Sequence, residues 1–321
     1  MAKVQNKSTK DDFPIRDLPK ACSDETAAVE FLEQHRWGGH PACPKCGDMD
    51  VYQMRDRKTG ERQKNYRWRC RGCKAQFTVR VGTVFEDSRI PLRHWCFAFW
   101  RASTSKKGVS ALEIHRQTGL CYKSSLFLLH RIRYAMGIDP LESGGPLNGV
   151  VEIDETFVGG KPRKPRRPRD SWTDKQPVMA MVERGGRAKA TVIPNVTAKT
   201  LKTAIRESVD RKAWIFTDEH RGYTGLADEF GDHQTVNHSS GEYARDGVST
   251  NTVEGFFSIV KRGLNGIYHS VSKEHLQLSM NEYAFRYTNR AMEDGQRVIA
   301  AIQAADGKKL YYRQPINGPK A

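Results

Sequence analysis

The apolar positions of this chain change period along its length, and each change predicts a different kind of element. Phe77, Val79 and Val81 alternate with Gln76, Thr78 and Arg80, the period of two of a half-buried strand. From Pro91 the spacing lengthens. Leu92, Cys96, Phe99 and Trp100 recur at helical intervals, with the proline tolerated in the first turn. Ser110 then predicts the cap of a helix through about Gln117, and Thr118-Gly119-Leu120 a tight turn. Leu126, Leu129, Ile132 and Met136 form the apolar stripe of a second helix, from about Tyr122 to Met136. From Gly149 strands predominate: Val150 to Val158, Pro177 to Glu183 and Ala188 to Val196. A helix from about Ala198 to Asp210 follows, then a strand Ala213 to Thr217, a short helix near Tyr223, a strand near Thr235 and two final helices. The first of these spans Asn251 to Leu264 and buries Val253, Phe256, Phe257, Val260 and Leu264. Residues 1–20 and those beyond about 306 are polar and read as mobile tails.

Cysteine spacing adds a metal centre. Cys43-Pro44-Lys45-Cys46 and Cys70-Arg71-Gly72-Cys73 are two C-x-x-C knuckles 23 residues apart. Four thiolates close a tetrahedral shell, which predicts one structural Zn2+ on Cys43, Cys46, Cys70 and Cys73 and leaves no open position for catalysis. Gly47 and Gly72 are expected to supply left-handed turns around the sulfurs. An odd total of seven cysteines argues against a secreted disulfide framework. The longest apolar runs, such as Leu126 to Leu129, are far short of the roughly 18 residues of a membrane span. No membrane partner is expected, and residence is read as cytoplasmic, in association with the nucleoid.

Charge points to the partner. Lys and Arg number 53 against 37 Asp and Glu, a formal net charge of +16. Neutralised phosphates release counterions, so double-stranded DNA is the natural ligand of such a surface. Lys161 to Arg169 holds six basic residues and three prolines, an extended loop in which Arg163, Arg166 and Arg167 are candidate phosphate contacts. The helical pair at 110–136 resembles a helix-turn-helix, with Lys123 and Arg131 on its second helix as further candidates.

Three carboxylates stand out on this basic background. Along the strand from Val150, Asp154 shares a face with Glu152 and Thr156. Asp218 directly follows Trp214-Ile215-Phe216-Thr217, at the strand end where open α/β sheets place their chemistry. Glu254 is separated from Asp218 by 35 residues and shares a helical face with Asn251, Ser258 and Lys261. Acidic groups from distant segments can hold a pair of hard divalent cations, and Lys261 can reach a flanking phosphate. Asn251 is an alternative third ligand; Glu152, Glu155 and Glu219 are substitutes. Three strands followed by alternating helix and strand predict a ribonuclease-H-like α/β fold.

The stretches CPKCG, CRGC, VGTVFEDSRIPL, GVSA, VEIDETFVGG, FTDEHRGY, VNHSSGEYARDGVSTNTVEGFFSIVKRGLNGIYH and FRYTNR together resemble a DDE transposase of a bacterial insertion sequence, in the branch with an N-terminal zinc ribbon. The resemblance covers about residues 25–290. It implies a tail (1–20), an N-terminal helix (21–40), a zinc ribbon (41–87), a helix-turn-helix-like domain (88–146), a ribonuclease-H-like catalytic domain (147–292) and a C-terminal extension (293–321). It further implies that Asp154, Asp218 and Glu254 bind two Mg2+ or Mn2+, with Lys261 as the DNA-contacting basic residue and His238 and Tyr243 near the site. The activity implied is cutting at the terminal inverted repeats and joining of the 3′ hydroxyls to target DNA, carried out by a homo-oligomer on DNA. The competing expectations are a DNA-binding regulator without chemistry and a metal-dependent nuclease that never joins strands.

Overall fold

The computed structural model describes residues 13–137, 145–159, 175–237, 244–245 and 247–310. The chain divides into two compact units. In the first, helices α1 (Phe13–Ser23) and α2 (Glu25–Trp37) meet at Asp24, whose carboxylate accepts the Ala27 N–H at 2.8 Å and starts α2. Gly38, at φ 58°, ends it in the left-handed conformation that glycine adopts without cost. Helix thus begins at Phe13, within the segment read as a tail.

The ribbon that follows is an antiparallel sheet of β1 (Val51–Gln53), β2 (Trp68–Cys70) and β3 (Gln76–Phe77). The strand expected through Val81 stops at Phe77, because Val81 and Thr83 turn their N–H groups back to Thr78 and Arg80. Glu33 of α2 fastens the ribbon by accepting from Trp68 Nε1 at 2.8 Å and from Arg62 Nη2 at 2.5 Å. Helix α3 (Leu92–Thr104) starts behind Pro91, which caps nothing. The carboxylate of Glu25 instead accepts the Leu92 and Arg93 N–H groups at 2.8 and 3.1 Å. The expected helix pair is present as α4 (Ala111–Thr118) and α5 (Tyr122–Ala135), joined across Gly119 at φ 73°.

The second unit is a mixed α/β layer. Strands β4 (Val150–Val158), β5 (Gln176–Glu183) and β6 (Ala188–Val192) are antiparallel; after α6 (Ala198–Arg206), β7 (Trp214–Thr217) and β8 (Asp232–Thr235) run parallel to β4. The sheet order β6-β5-β4-β7-β8 puts β4 at the centre. A short hairpin, β9 (Ala244–Arg245) with β10 (Val248–Ser249), leads into α7 (Asn251–Gly263), a π-helical turn (Leu264–Tyr268) and α8 (Leu276–Thr288). One sheet face buries Val151, Ile153, Met179 and Met181 with Leu201 and Ile205 of α6. The other buries Val178, Ala180 and Val182 with Val253, Phe256, Phe257 and Val260 of α7 and Met280 of α8. Covered on both faces, β5 is accordingly a continuous apolar run rather than an alternating one. The mixed sheet is consistent with a ribonuclease-H-like domain. Finally α9 (Asp294–Gln303) returns to the first unit, where Ala305 O accepts the Val84 N–H and Lys309 pairs with Glu86 and Asp87.

Candidate active site and zinc centre

Among the described residues, one group of three or more His, Cys, Asp or Glu converges tightly enough to enclose a metal ion: Cys43, Cys46, Cys70 and Cys73, whose sulfurs lie within 4.8 Å of one another. Cys43 and Cys73 Sγ are 3.6 Å apart, Cys46 and Cys70 Sγ 3.7 Å. Four thiolates about 2.3 Å from a tetrahedral zinc stand about 3.8 Å apart, so the sulfurs already have the spacing of a bound ion. Burial raises the Cys43 thiol, but the N–H groups of Lys45 and Cys46 together with the Cys73 and Cys46 thiols bring it down to about 7, whereas Cys46 and Cys70 are raised, so without the ion the cluster keeps most of its protons and zinc has to displace them. Gly47 takes the expected left-handed turn at φ 76°. Gly72 does not; the left-handed residue of the second knuckle is Lys74, at φ 61°. Gly72 is small because a Cβ there would meet Asp48 Oδ2 at 2.5 Å.

The three carboxylates arise from the second unit's sheet and from α7. Asp154 stands on β4 opposite Ala180 of β5, on the face that α7 covers, and its Oδ1 accepts the Glu155 N–H at 2.7 Å. Asp218 follows the last residue of β7 and accepts the His220 N–H at 3.1 Å. Glu254, exposed in the first turn of α7, accepts the Thr250 hydroxyl at 3.0 Å. Asn251 is exposed one turn before it and Lys261 two turns after. Burial, reinforced by the negative charges of Glu155, Asp218 and Glu254, pushes Asp154 up to about 7. The carboxylates therefore share one electrostatic environment, although their oxygens do not close on a point as the four sulfurs do.

Two neighbours have roles that the sequence does not reveal. Burial raises the Glu155 carboxyl, which accepts the phenol of Tyr223 and lies 3.9 Å from His220 Nδ1. Glu155 thereby ties the turn after Asp218 to β4. Glu152, on Asp154's own face, is fully buried and spends its carboxylate on the first turn of α7 and on Arg184. The signal for this was in the sequence only as its place two residues before Asp154, on the same strand face.

The candidate DNA contacts are distributed unevenly. Lys123 is exposed in the first turn of α5. Arg131 corrects the sequence reading: it is 5% exposed, donates to the carbonyls of Val84 and Glu86, and stacks on Phe127. Its guanidinium fastens α5 to the 84–86 turn and is not offered to a phosphate. Arg163, Arg166, Arg167, His238 and Tyr243 lie outside the described residues. Among the described residues no helix is long and apolar enough to cross a membrane.

A zinc ribbon combined with a mixed sheet that carries acidic residues on β4, after β7 and on α7 is consistent with a protein of the DNA-processing class. Comparison with known proteins agrees. Residues 146–288 match the ISXO2-like transposase domain, and residues 23–76 match the transposase zinc-ribbon domain. An uncharacterized protein in transposable element ISH50 of Halobacterium salinarum is 28% identical over 284 residues, covering 83% of this chain and 92% of the relative. An uncharacterized transposase-like protein of Haemophilus influenzae is 33% identical over 111 residues, 35% of this chain and 89% of the relative. The chain belongs to the ISXO2-like DDE transposases with an N-terminal zinc ribbon.

Proposed function

We propose that this transposase cuts DNA at the ends of its insertion sequence and joins the resulting 3′ hydroxyls to target DNA, with Asp154, Asp218 and Glu254 as its catalytic carboxylates. The observation that carries this reading is the raised Asp154. A half-buried acid destabilised by three neighbouring carboxylates is a concentration of negative charge that a divalent cation relieves. The donors are hard oxygens, the chemistry that suits Mg2+ or Mn2+. Bound there, a pair of such ions supplies a lowered pKa for the attacking hydroxyl or water and charge stabilisation for the leaving oxygen.

The remaining work falls to the chain itself. Asp154, on the middle strand of the sheet, would hold such ions together with Asp218 and Glu254. Glu254 is favoured over Asn251 because its charge adds to the load on Asp154 and because a carboxylate is the stronger ligand for a hard cation. Thr250 fixes the Glu254 rotamer, and the Glu155–Tyr223 hydrogen bond holds the turn that carries Asp218. Lys261 contacts a phosphate flanking the reacting bond. Lys123 contacts the DNA backbone beside the bases that α5 reads, and Arg163, Arg166 and Arg167 add phosphate contacts. Two ends must meet one target, so the active species is a homo-oligomer on DNA.

The test incubates the protein with DNA bearing the element's flanking ends and a target plasmid, with Mg2+ or EDTA, beside Asp218→Asn. Metal-dependent nicking and joined products, both lost in the variant, are expected. Binding without nicking would make the chain a regulator, and cutting without joining a nuclease.

Acidity should also control loading of the site. A cation competes with the proton on Asp154, so Mn2+ affinity is expected to rise with pH up to about 7 and then level off. Below that value it should fall by up to about tenfold per pH unit. Calorimetric titrations at pH 6, 7 and 8 that gave one affinity would count against Asp154 as a ligand.

A further inference from the structure

Glu152 and Asp154 leave β4 on the same side, two residues apart, and nothing in their spacing distinguishes them. The structure gives them opposite surroundings. Glu152 is 0% exposed, and four hydrogen bonds occupy its carboxylate. Oε2 accepts the backbone N–H groups of Thr252 and Val253 at 2.6 and 3.1 Å. Oε1 accepts the Thr252 hydroxyl at 2.8 Å and Arg184 Nε at 2.6 Å. Helix α7 has no side-chain cap from Thr250, so a carboxylate from the middle strand of the sheet satisfies its orphan N–H groups.

Arg184 extends the connection. Its Nη1 donates to Gly247 O at 2.6 Å, and its Nη2 to Ser249 O and Oγ at 3.1 and 2.9 Å, in the segment that leads into α7. Its guanidinium also lies 4.8 Å from the ring of Phe216, on β7 two residues before Asp218. The pair therefore touches every segment that carries a candidate ligand: β4 with Asp154, β7 with Asp218, and the start of α7 with Glu254.

We infer that Glu152 and Arg184 form a charged clasp that sets the spacing of the three carboxylates, so that Glu152 is a positioning residue and not a metal ligand. This rests on the proposed reading of Asp154, Asp218 and Glu254 as ligands. The geometry supplies the reason. Glu254 directly follows Thr252 and Val253, whose N–H groups Glu152 holds, so any shift of α7 along β4 moves Glu254 relative to Asp154. A buried carboxylate with three donors from one helix end and one from an arginine leaves no oxygen for a cation.

The experiment compares wild type, Glu152→Gln and Arg184→Lys, each checked for cooperative melting and zinc content. Manganese binding is measured by calorimetry, and hydrogen exchange is measured across residues 250–258. Loss of an orienting partner behind a ligand is expected to weaken Mn2+ binding by about tenfold or more in Glu152→Gln, and less in Arg184→Lys, which keeps a cation without the fork. Exchange in the first turn of α7 should quicken in both. Magnesium-dependent cleavage should recover at high metal in these variants but not in Asp154→Asn. Wild-type affinity together with unchanged exchange in a folded Glu152→Gln protein would overturn the clasp alone. A wild type that binds no manganese would remove the ligand site and this inference with it.

Discussion

Asp154→Asn is expected to lose strand cleavage by on the order of a thousandfold or more, and to become more stable in the absence of metal. The first effect follows from its place on the middle strand of the sheet: Asp218 follows the neighbouring strand β7, Glu254 stands on α7 against the same sheet face, and an amide at 154 brings no charge to help them hold cations. Metal stabilisation of a phosphoryl-transfer transition state is worth several kcal/mol, and each ~1.4 kcal/mol is a factor of ten in rate. The second effect comes from the same charge. Asp154 is raised in the folded state from 3.8 to about 7, so the fold binds its proton more tightly than the unfolded chain does. Its contribution to stability is lost as pH rises from about 4 to about 7 and stays lost above. Removing the charge should therefore add up to about 4 kcal/mol at pH 8, shrinking to roughly 1.5 kcal/mol at pH 5, where the native aspartate is already protonated. Denaturant unfolding in EDTA at the two pH values reads this directly. A variant that is inactive and less stable at both would mean that Asp154 supports the fold and not a metal.

The elements that carry these residues were legible in the sequence. Strand β4 and the start of α7 lie where the alternation of Val151 and Ile153 and the helical recurrence of Val253, Phe256, Phe257 and Val260 place them, because one-sided burial imposes those periods. Ends were less legible. The third strand was expected to reach Val196 but stops at Val192, just before Ile193-Pro194, and α6 ends at Arg206 rather than Asp210. Long-range partners were not legible at all. Arg131 sits in a basic helix and reads as a DNA contact until the carbonyls of Val84 and Glu86, more than forty residues upstream, are seen to hold it. Glu152 and Asp154 have the same charge and the same face. Only the helix end that one of them caps separates their roles. The capping of α3 by Glu25, 67 residues upstream of Leu92, is the same device in the first unit.

Removal of zinc is expected to unfold the ribbon while leaving the acidic site intact. The apolar content of the ribbon is small: Phe77 is buried with Cys43 and Cys70, and Trp37, Val51, Trp68 and Val81 are partly covered around them. Strands of three, three and two residues cannot close a core of their own, so the ordering entropy has to be offset by the metal. Structural zinc contributes on the order of 10 kcal/mol or more in small domains of this kind. Trp37 and Trp68 meet edge to face at 5.9 Å, and Trp68 Nε1 is held by Glu33. A strong chelator should therefore change tryptophan fluorescence as about one zinc per chain is released, while Mn2+ affinity at the Asp154 site persists. Position decides which ligand can be exchanged. Cys46 is exposed and Cys70 is 0% exposed. Cys46→His should keep a Cys3His site, whereas Cys70→His has no room for an imidazole and should lose the metal. Equal zinc content in both variants would show that the ion is not enclosed by these four sulfurs.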